Sequence, residues 1–376
     1  MTQINKIDSA ELYILKVPLV YPFVTSIKKL THKEVLILKL NSEDYSGWGE
    51  CAADIDPFYY YETTETAINI TEKFLLPILF NTKNIKLEDI QYLFSIIRGH
   101  SMAKAMIENA ILDLIAKKEE TPLYKLIGGT HKNIMSGISI GIKKDINYLL
   151  KLIGDSINKK YHRIKLKIKK GNDIGLLKII RENFPNIPIM VDANGNYSLD
   201  DVEYLKQLDK FNLMMIEQPF EYNDFYKHSL LQKELKTPVC LDESINCLND
   251  AITAINLKSC KIINIKQGRL GGLLNAKTIL EYCNKNNIDT WSGGMLETGI
   301  GRAFNLHLQT LAGFTLPGDT SETSRYFHKD IVSESVVLNS DGFINLPKGN
   351  GIGVKIVQKA IDNYKIFYKK LEKGNT

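Results

Sequence analysis

Five charged residues close five short apolar runs. Lys167 follows Arg163-Ile-Lys-Leu, Asp192 follows Ile189-Met-Val, Glu217 follows Met214-Met-Ile, Asp242 follows Val239-Cys-Leu and Lys266 follows Ile262-Ile-Asn-Ile. Read along the chain (167, 192, 217, 242, 266), successive charges stand 25, 25, 25 and 24 residues apart. A strand of about five residues, a helix of about a dozen and two short loops fill such an interval, which is the repeat of a parallel βα architecture. Each charge then ends its own strand. If the units close into a barrel, those strand ends converge on the face where such barrels build active sites. Solvated strand ends have no reason to fall in the order amine, acid, acid, acid, amine, and three clustered acids repel unless something positive sits among them. Three oxygen ligands without Cys or His suit a hard divalent cation, Mg²⁺ or as a substitute Mn²⁺, that keeps other positions for water and substrate.

The elements that must position these residues can be counted out. A chain of 376 residues is long for one average domain and right for a barrel with a smaller companion. Apolar residues at 44% and charged residues at 24% describe a globular protein with a sizeable core. The net charge of +5 is spread thinly, with acids among the lysines, so no nucleic-acid footprint is expected. The amino terminus has no basic segment followed by an apolar one, and no run of about 18 apolar residues occurs, so no membrane association and a cytoplasmic location are expected. Five cysteines without a CxxC pair fit a reducing compartment, and the seven histidines lack metal-ligand spacing.

Before about residue 128 the pattern is strands followed by helices. Glu34–Leu40 and Gly47–Cys51 flank turn residues and predict an antiparallel meander. Helices are expected over Tyr60–Leu79 and Ser101–Glu120, the second with Ser101 as N-cap and one apolar stripe. Loops of this domain, Pro22–Ser26 and Ala52–Asp54, are candidates to close over the barrel mouth. Strand one of the barrel is Gly137–Gly141, strands two to six are the five runs above, strand seven is Asp289–Gly293 and strand eight lies near Phe314–Pro317. Helices are expected to begin at Ser198 and to span Gly272–Asn284, and a last amphipathic helix is expected over Gly353–Leu371. Gly293-Gly294 is expected to let backbone amides approach a substrate carboxylate at a helix start. The fold class is therefore α/β: a (β/α)7β TIM-like barrel at 129–335, with an α+β N-terminal capping domain at 1–128 that residues from about 336 to 376 complete.

These residues carry a resemblance. Lys165-x-Lys167, the acids Asp192, Glu217 and Asp242, Lys266, the helix Ala105–Leu114, Ser292–Arg302 and Leu316-Pro-Gly-Asp319 together resemble the muconate-lactonizing subgroup of the enolase superfamily. Within it they are most similar to the o-succinylbenzoate synthase and N-acylamino acid racemase family. Gly318-Asp319-Thr320 departs from the Asp-x-Asp usual in dipeptide epimerases. The resemblance implies that Asp192, Glu217 and Asp242 hold Mg²⁺ and that Lys167 and Lys266 are catalytic. It implies substrate contacts from Ser139, Lys165, Asn194, Gly293, Gly294, Met295, Phe23 and Ser26.

Removing a proton next to a carboxylate concentrates charge there. A lysine base with Mg²⁺ stabilising the ene-diolate is the combination for which the superfamily serves as the standard example. The base must be a neutral amine, and the cation with Lys165 and Lys266 is expected to lower the pKa of Lys167. The implied activity is dehydration of a small carboxylate in menaquinone biosynthesis by the synthase, favoured here over racemisation of N-succinylamino acids, by a homo-oligomer. A non-catalytic barrel that binds a ligand is the alternative of another class, against which the intact set of five charges weighs.

Overall fold

The computed structural model describes residues 3–24, 29–171 and 173–374. The first domain is built on strands β1 (Ser9–Val24), β2 (Lys29–Ser42) and β3 (Tyr45–Cys51), paired antiparallel in that order. The meander is the expected one, and its second turn places Glu43 in the left-handed region.

The first helical segment begins later than Tyr60. Thr63 caps it, accepting from the Thr66 backbone N–H while the Thr66 side chain accepts from Thr63 N, and helix runs over Thr64–Ile70. A π-helical turn over Thr71–Leu75 then leads into Leu76–Asn81. That late start leaves residues 55–62 as a loop, which carries Tyr59 to the barrel mouth. Helix α1 (Ser101–Lys118) is capped otherwise than expected, since His100 is the N-cap in a left-handed conformation and offers no side-chain bond. Glu62 takes that role, accepting from Met102 N at 2.9 Å and Ala103 N at 2.8 Å. Nor is α1 apolar along one stripe: Met102, Ala103 and every residue from Ala105 to Ala116 are buried, because the helix is enclosed on all sides.

Seven barrel strands follow in chain order: β4 (Gly137–Ile140), β5 (Arg163–Lys167), β6 (Ile189–Asp192), β7 (Ile216–Glu217), β8 (Val239–Leu241), β9 (Ile262–Ile265) and β10 (Asp289–Ser292). All neighbours pair in parallel, in sequence order. The expected eighth strand is not a strand. Residues 315–319 nevertheless bond to both edges: Leu316 N donates to Thr290 O (3.1 Å), Asp319 N to Ser292 O (2.8 Å) and Gly137 N to Gly318 O (2.7 Å). Pro317 has no N–H to give to a ladder, so closure is made by isolated bonds around it. Met190, Met215, Cys240, Ile262 and Trp291 fill one apolar cluster contributed by consecutive strands.

Three segments differ in detail from the expectations. Ser198 caps a short 3₁₀ turn over Leu199–Asp201 that passes into Val202–Leu205, not a long helix. Helix α2 (Leu273–Lys285) matches the predicted one within a residue. The end of the chain departs most: a helix covers only Gln358–Tyr364, and Lys365–Glu372 forms β11, which pairs antiparallel with β1 and extends the first domain's sheet. Among the described residues no helix is long and apolar enough to cross a membrane.

The two domains are locked by buried carboxylates at helix starts. Glu108 of α1 accepts from Leu274 N at 2.9 Å, and a Cβ at Gly272, whose φ is +128°, would strike that carboxylate. Burial pushes the Glu108 carboxyl up to about 8. A carboxyl whose pKa is raised in the folded state contributes stability that is present below its ordinary value near 4.3 and lost as pH rises through the folded value. Glu108→Gln should therefore gain melting temperature relative to the parent as pH rises from about 6 to 9. A difference that stays constant over that range would contradict the assignment.

Candidate active site

The strand ends bring the five charges and Lys165 into one cluster. Register places Lys167 beside Asp192 and Asp192 beside Glu217, while Asp242 and Lys266 stand one residue beyond β8 and β9. Lys165 Nζ lies 3.1 Å from Asp192, 3.0 Å from Glu217 and 3.2 Å from Asp319. Lys167 Nζ donates to Asp192 Oδ2 and Asn194 Oδ1, both at 2.6 Å. Lys266 Nζ lies 2.6 Å from Asp242 Oδ2. Asp192, Glu217 and Asp242 are all at most 1% exposed.

Electrostatics follow from that packing. Burial opposes charge on Asp192, but Lys167 and Lys165 outweigh it and hold the carboxyl at about 2. Asp242 is likewise held low against burial, by Arg269 and Lys266. Glu217 goes the other way, pushed up to about 8 by burial and by the charge on Asp192. Burial works against the Lys266 ammonium, yet Asp242 raises its pKa well above the ordinary lysine range. Lys165 is raised too, by Asp319, Glu217 and Asp192 against burial.

A cavity of about 530 Å³ opens above the cluster. Lys165, Lys167 and Lys266 line it, together with Ser139, Asn194, Gly294 and Met295. Asp192, Glu217 and Asp242 are not part of that lining. Among the described residues no three Asp, Glu, His or Cys side chains converge tightly enough to form a ready coordination sphere. The acids instead take the lysine ammonium groups as partners. Their chemistry fits a hard cation all the same: the donors are oxygens, Glu217 is destabilised as an anion by burial and by its acidic neighbours, and Glu243 Oε2 and Asn264 Oδ1 are buried without a hydrogen-bond partner.

The remaining expected contacts separate. Ser139, on β4, sits in register with Lys165. Asn194, at φ +45°, joins Lys167 to Glu243, donating to Glu243 Oε1 at 2.8 Å. Gly293-Gly294 do not begin a helix, which starts only at Gly299 as α3 (Gly299–Leu308). Gly293 is instead a clearance, because a Cβ there would meet the Asn264 side chain and Lys266 Cε at 2.7 Å. Phe23 pairs through its backbone with Leu30 in the β1–β2 hairpin, and Ser26 lies outside the described residues.

Sequence reasoning missed Tyr59, Arg269, Arg163 and Asp319. Tyr59 Oη accepts from Lys266 Nζ and Arg269 Nη1, each at 2.8 Å, and donates to Asp242 Oδ2 at 3.3 Å. Arg269 Nη1 is 2.7 Å from Asp242 Oδ1. Arg163 pairs with Asp319 and stacks over Trp291 at 4.4 Å. Arg269 left a signal, a charge three residues past Lys266 in a glycine-rich turn. Tyr59 left none, since it comes from the other domain. Of the two candidate loops of the first domain, Ala52–Asp54 reaches the cavity through Asp54; Pro57, Phe58, Tyr59, Tyr60 and Tyr61, which were not expected there, line it as well.

Comparison with known proteins matches residues 9–128 to the family described as mandelate racemase / muconate lactonizing enzyme, N-terminal domain, and residues 149–360 to the enolase C-terminal domain-like family. The chain is 42% identical to an o-succinylbenzoate synthase of Geobacillus kaustophilus over 94% of this chain and 95% of that protein. It is 41% identical to an N-succinylamino acid racemase of Thermus thermophilus over 93% of this chain and 95% of that one. A solved enolase-superfamily structure from Listeria innocua superposes with a TM-score of 0.94 at 41% identity, covering 98% of this chain and 99% of the other. Divalent-metal dependence goes with this superfamily. The chain belongs to the enolase superfamily, in its mandelate racemase/muconate lactonizing branch, and there to the family of o-succinylbenzoate synthases and N-succinylamino acid racemases.

Proposed function

We propose that the protein is an o-succinylbenzoate synthase, a hydro-lyase that removes water in the syn sense from 2-succinyl-6-hydroxy-2,4-cyclohexadiene-1-carboxylate in menaquinone biosynthesis. The observation that carries this reading is similarity of 41–43% to five proteins named for that activity, each over at least 94% of this chain. The local geometry supports it, because two lysines meet one row of acids from its two ends.

In this reading Asp192, Glu217 and Asp242 hold Mg²⁺, for which Mn²⁺ can substitute. When bound, the cation supplies positive charge at the substrate carboxylate, where charge collects as the adjacent proton leaves. Lys167, as neutral amine, takes that proton from the α-carbon. It returns the proton to the departing hydroxide on the same face, so that one C–H and one C–O bond break, a C=C bond completes the aromatic ring, and water leaves. Lys266 remains an ammonium, held so by Asp242, and faces the developing charge from the other side. Asn194 orients Lys167, and the loop bearing Tyr59 keeps water from the reacting atoms.

A second reading keeps the same site and makes the chain an N-succinylamino acid racemase. It is favoured by relatives so named, at 41% and 38% identity. Lys266 would then also exchange a proton with the α-carbon. Measuring kcat/KM for the cyclohexadiene substrate and for N-succinylamino acids on one preparation tests the proposal. The synthase substrate is expected to be preferred, and a preference for N-succinylamino acids would overturn it.

A further inference from the structure

The cavity that exposes Lys165, Lys167 and Lys266 is also lined by Glu297, Arg302, Asn305, Thr320 and Tyr326. Arg302, in the first turn of α3, is 3% exposed. Its Nη1 donates to Thr323 Oγ1 at 3.1 Å and its Nη2 to the Ser321 carbonyl, and the guanidinium lies 5.8 Å from the centre of the Tyr326 ring. Both hydrogen-bond acceptors are neutral. The other two arginines buried this deeply each have a carboxylate in contact, Asp319 for Arg163 and Asp242 for Arg269. Arg302 has no such ion pair among the described residues.

The two acids whose charge acts on Arg302, Glu297 and Asp330, form no ion pair with it among the described residues. Glu297 accepts from Met295 N at 2.8 Å and Asn305 Nδ2 at 3.0 Å; Asp330 accepts through Oδ1 from Gly299 N at 2.8 Å and Ile331 N at 2.7 Å, while its Oδ2 is buried without a hydrogen-bond partner. Burial lowers the Arg302 pKa from its ordinary value, with Asp330 and Glu297 opposing from a distance. A buried charge without a counter-charge in contact is costly, and tying down residues 321–323 needs only a neutral donor. Thr323 and Ser321 occupy two of five guanidinium donors, and the guanidinium fork fits a carboxylate closely.

We propose that Arg302 receives a second carboxylate of the substrate, at the far end of a flexible arm from the carboxylate beside the proton to be removed. The site then selects dicarboxylates. This rests on the proposed function, since the synthase substrate and N-succinylamino acids alike carry a succinyl arm, and it assigns a residue to that arm.

The test compares N-succinyl with N-acetyl derivatives of one amino acid, the second lacking only the distal carboxylate-bearing carbons. Racemisation or α-proton exchange gives kcat/KM for each in the wild type, Arg302→Lys and Arg302→Gln. The wild type should favour the succinyl compound, and Arg302→Gln should reduce that preference by about 10- to 100-fold, the range for losing a charge-assisted hydrogen bond. Arg302→Lys should retain part of it. An equal fall on both compounds would show a merely structural arginine and overturn the assignment. So would a wild type indifferent to the distal carboxylate, a result that needs no variant to fold. A wild type that neither exchanges these protons nor dehydrates the cyclohexadiene would overturn the proposed function and this assignment with it.

Discussion

Replacing Lys167 with Arg should lower dehydration and racemisation together by about 10²–10⁴-fold, the usual contribution of a positioned general base. Arginine keeps the positive charge beside Asp192 but stays protonated, so it cannot take the α-proton. Lys167 makes its 2.6 Å contacts to Asp192 and Asn194 from a position only partly enclosed, on the cavity wall. The loss should therefore fall on kcat, with substrate affinity changed much less. Stopped-flow or steady-state turnover on both substrate types measures it. A loss smaller than about tenfold in either reaction would remove Lys167 from the role of base.

The second large effect concerns the cation. Glu217→Gln keeps volume and keeps an oxygen to accept from Asn264 Nδ2, which lies 3.0 Å from Glu217 Oε1. It removes the one acid of the three that is already strained as an anion, pushed up to about 8. Metal affinity should fall by at least about 10- to 100-fold, a range known even for residues that only support metal ligands. Above about pH 8, where Glu217 is ionised, the metal-free variant should melt no lower than the parent, because a repulsive charge has gone from the interior. The rise in melting temperature that Mg²⁺ gives the parent should shrink accordingly, since a ligand stabilises the folded state by binding it. Unchanged affinity by calorimetry would show that the cation sits elsewhere.

Much of this was legible in the sequence, and the failures have physical reasons. Strands ending in Lys167, Asp192, Glu217, Asp242 and Lys266 could be read because a parallel strand is apolar until it surfaces, and the surfacing charge repeats with the βα unit. The Phe314–Pro317 segment looked like one more strand, but apolar composition does not reveal that Pro317 interrupts the ladder. The C-terminal segment fails for the opposite reason. Lys365–Glu372 borrows its order from β1, a partner more than three hundred residues away, and its own pattern does not announce that pairing. Glu62 as the cap of α1 and Tyr59 at Lys266 are likewise contacts between segments far apart in sequence. The same limit hid how the acids are neutralised, by Lys165, Lys167, Lys266 and Arg269, with Asp319 holding Lys165 from the closing segment of the barrel.

The central claim is that Lys167 and Lys266 act on opposite faces of one bound carboxylate. Exchange of the α-proton with D₂O, followed by proton NMR on each enantiomer of one N-succinylamino acid separately, tests it most directly in the Lys266→Arg variant. That variant keeps a cation beside Asp242 and loses only the ability to give up a proton. The account predicts exchange of the single enantiomer whose proton faces Lys167, no racemisation, and persisting synthase turnover. Exchange of both enantiomers at the wild-type rate would contradict it.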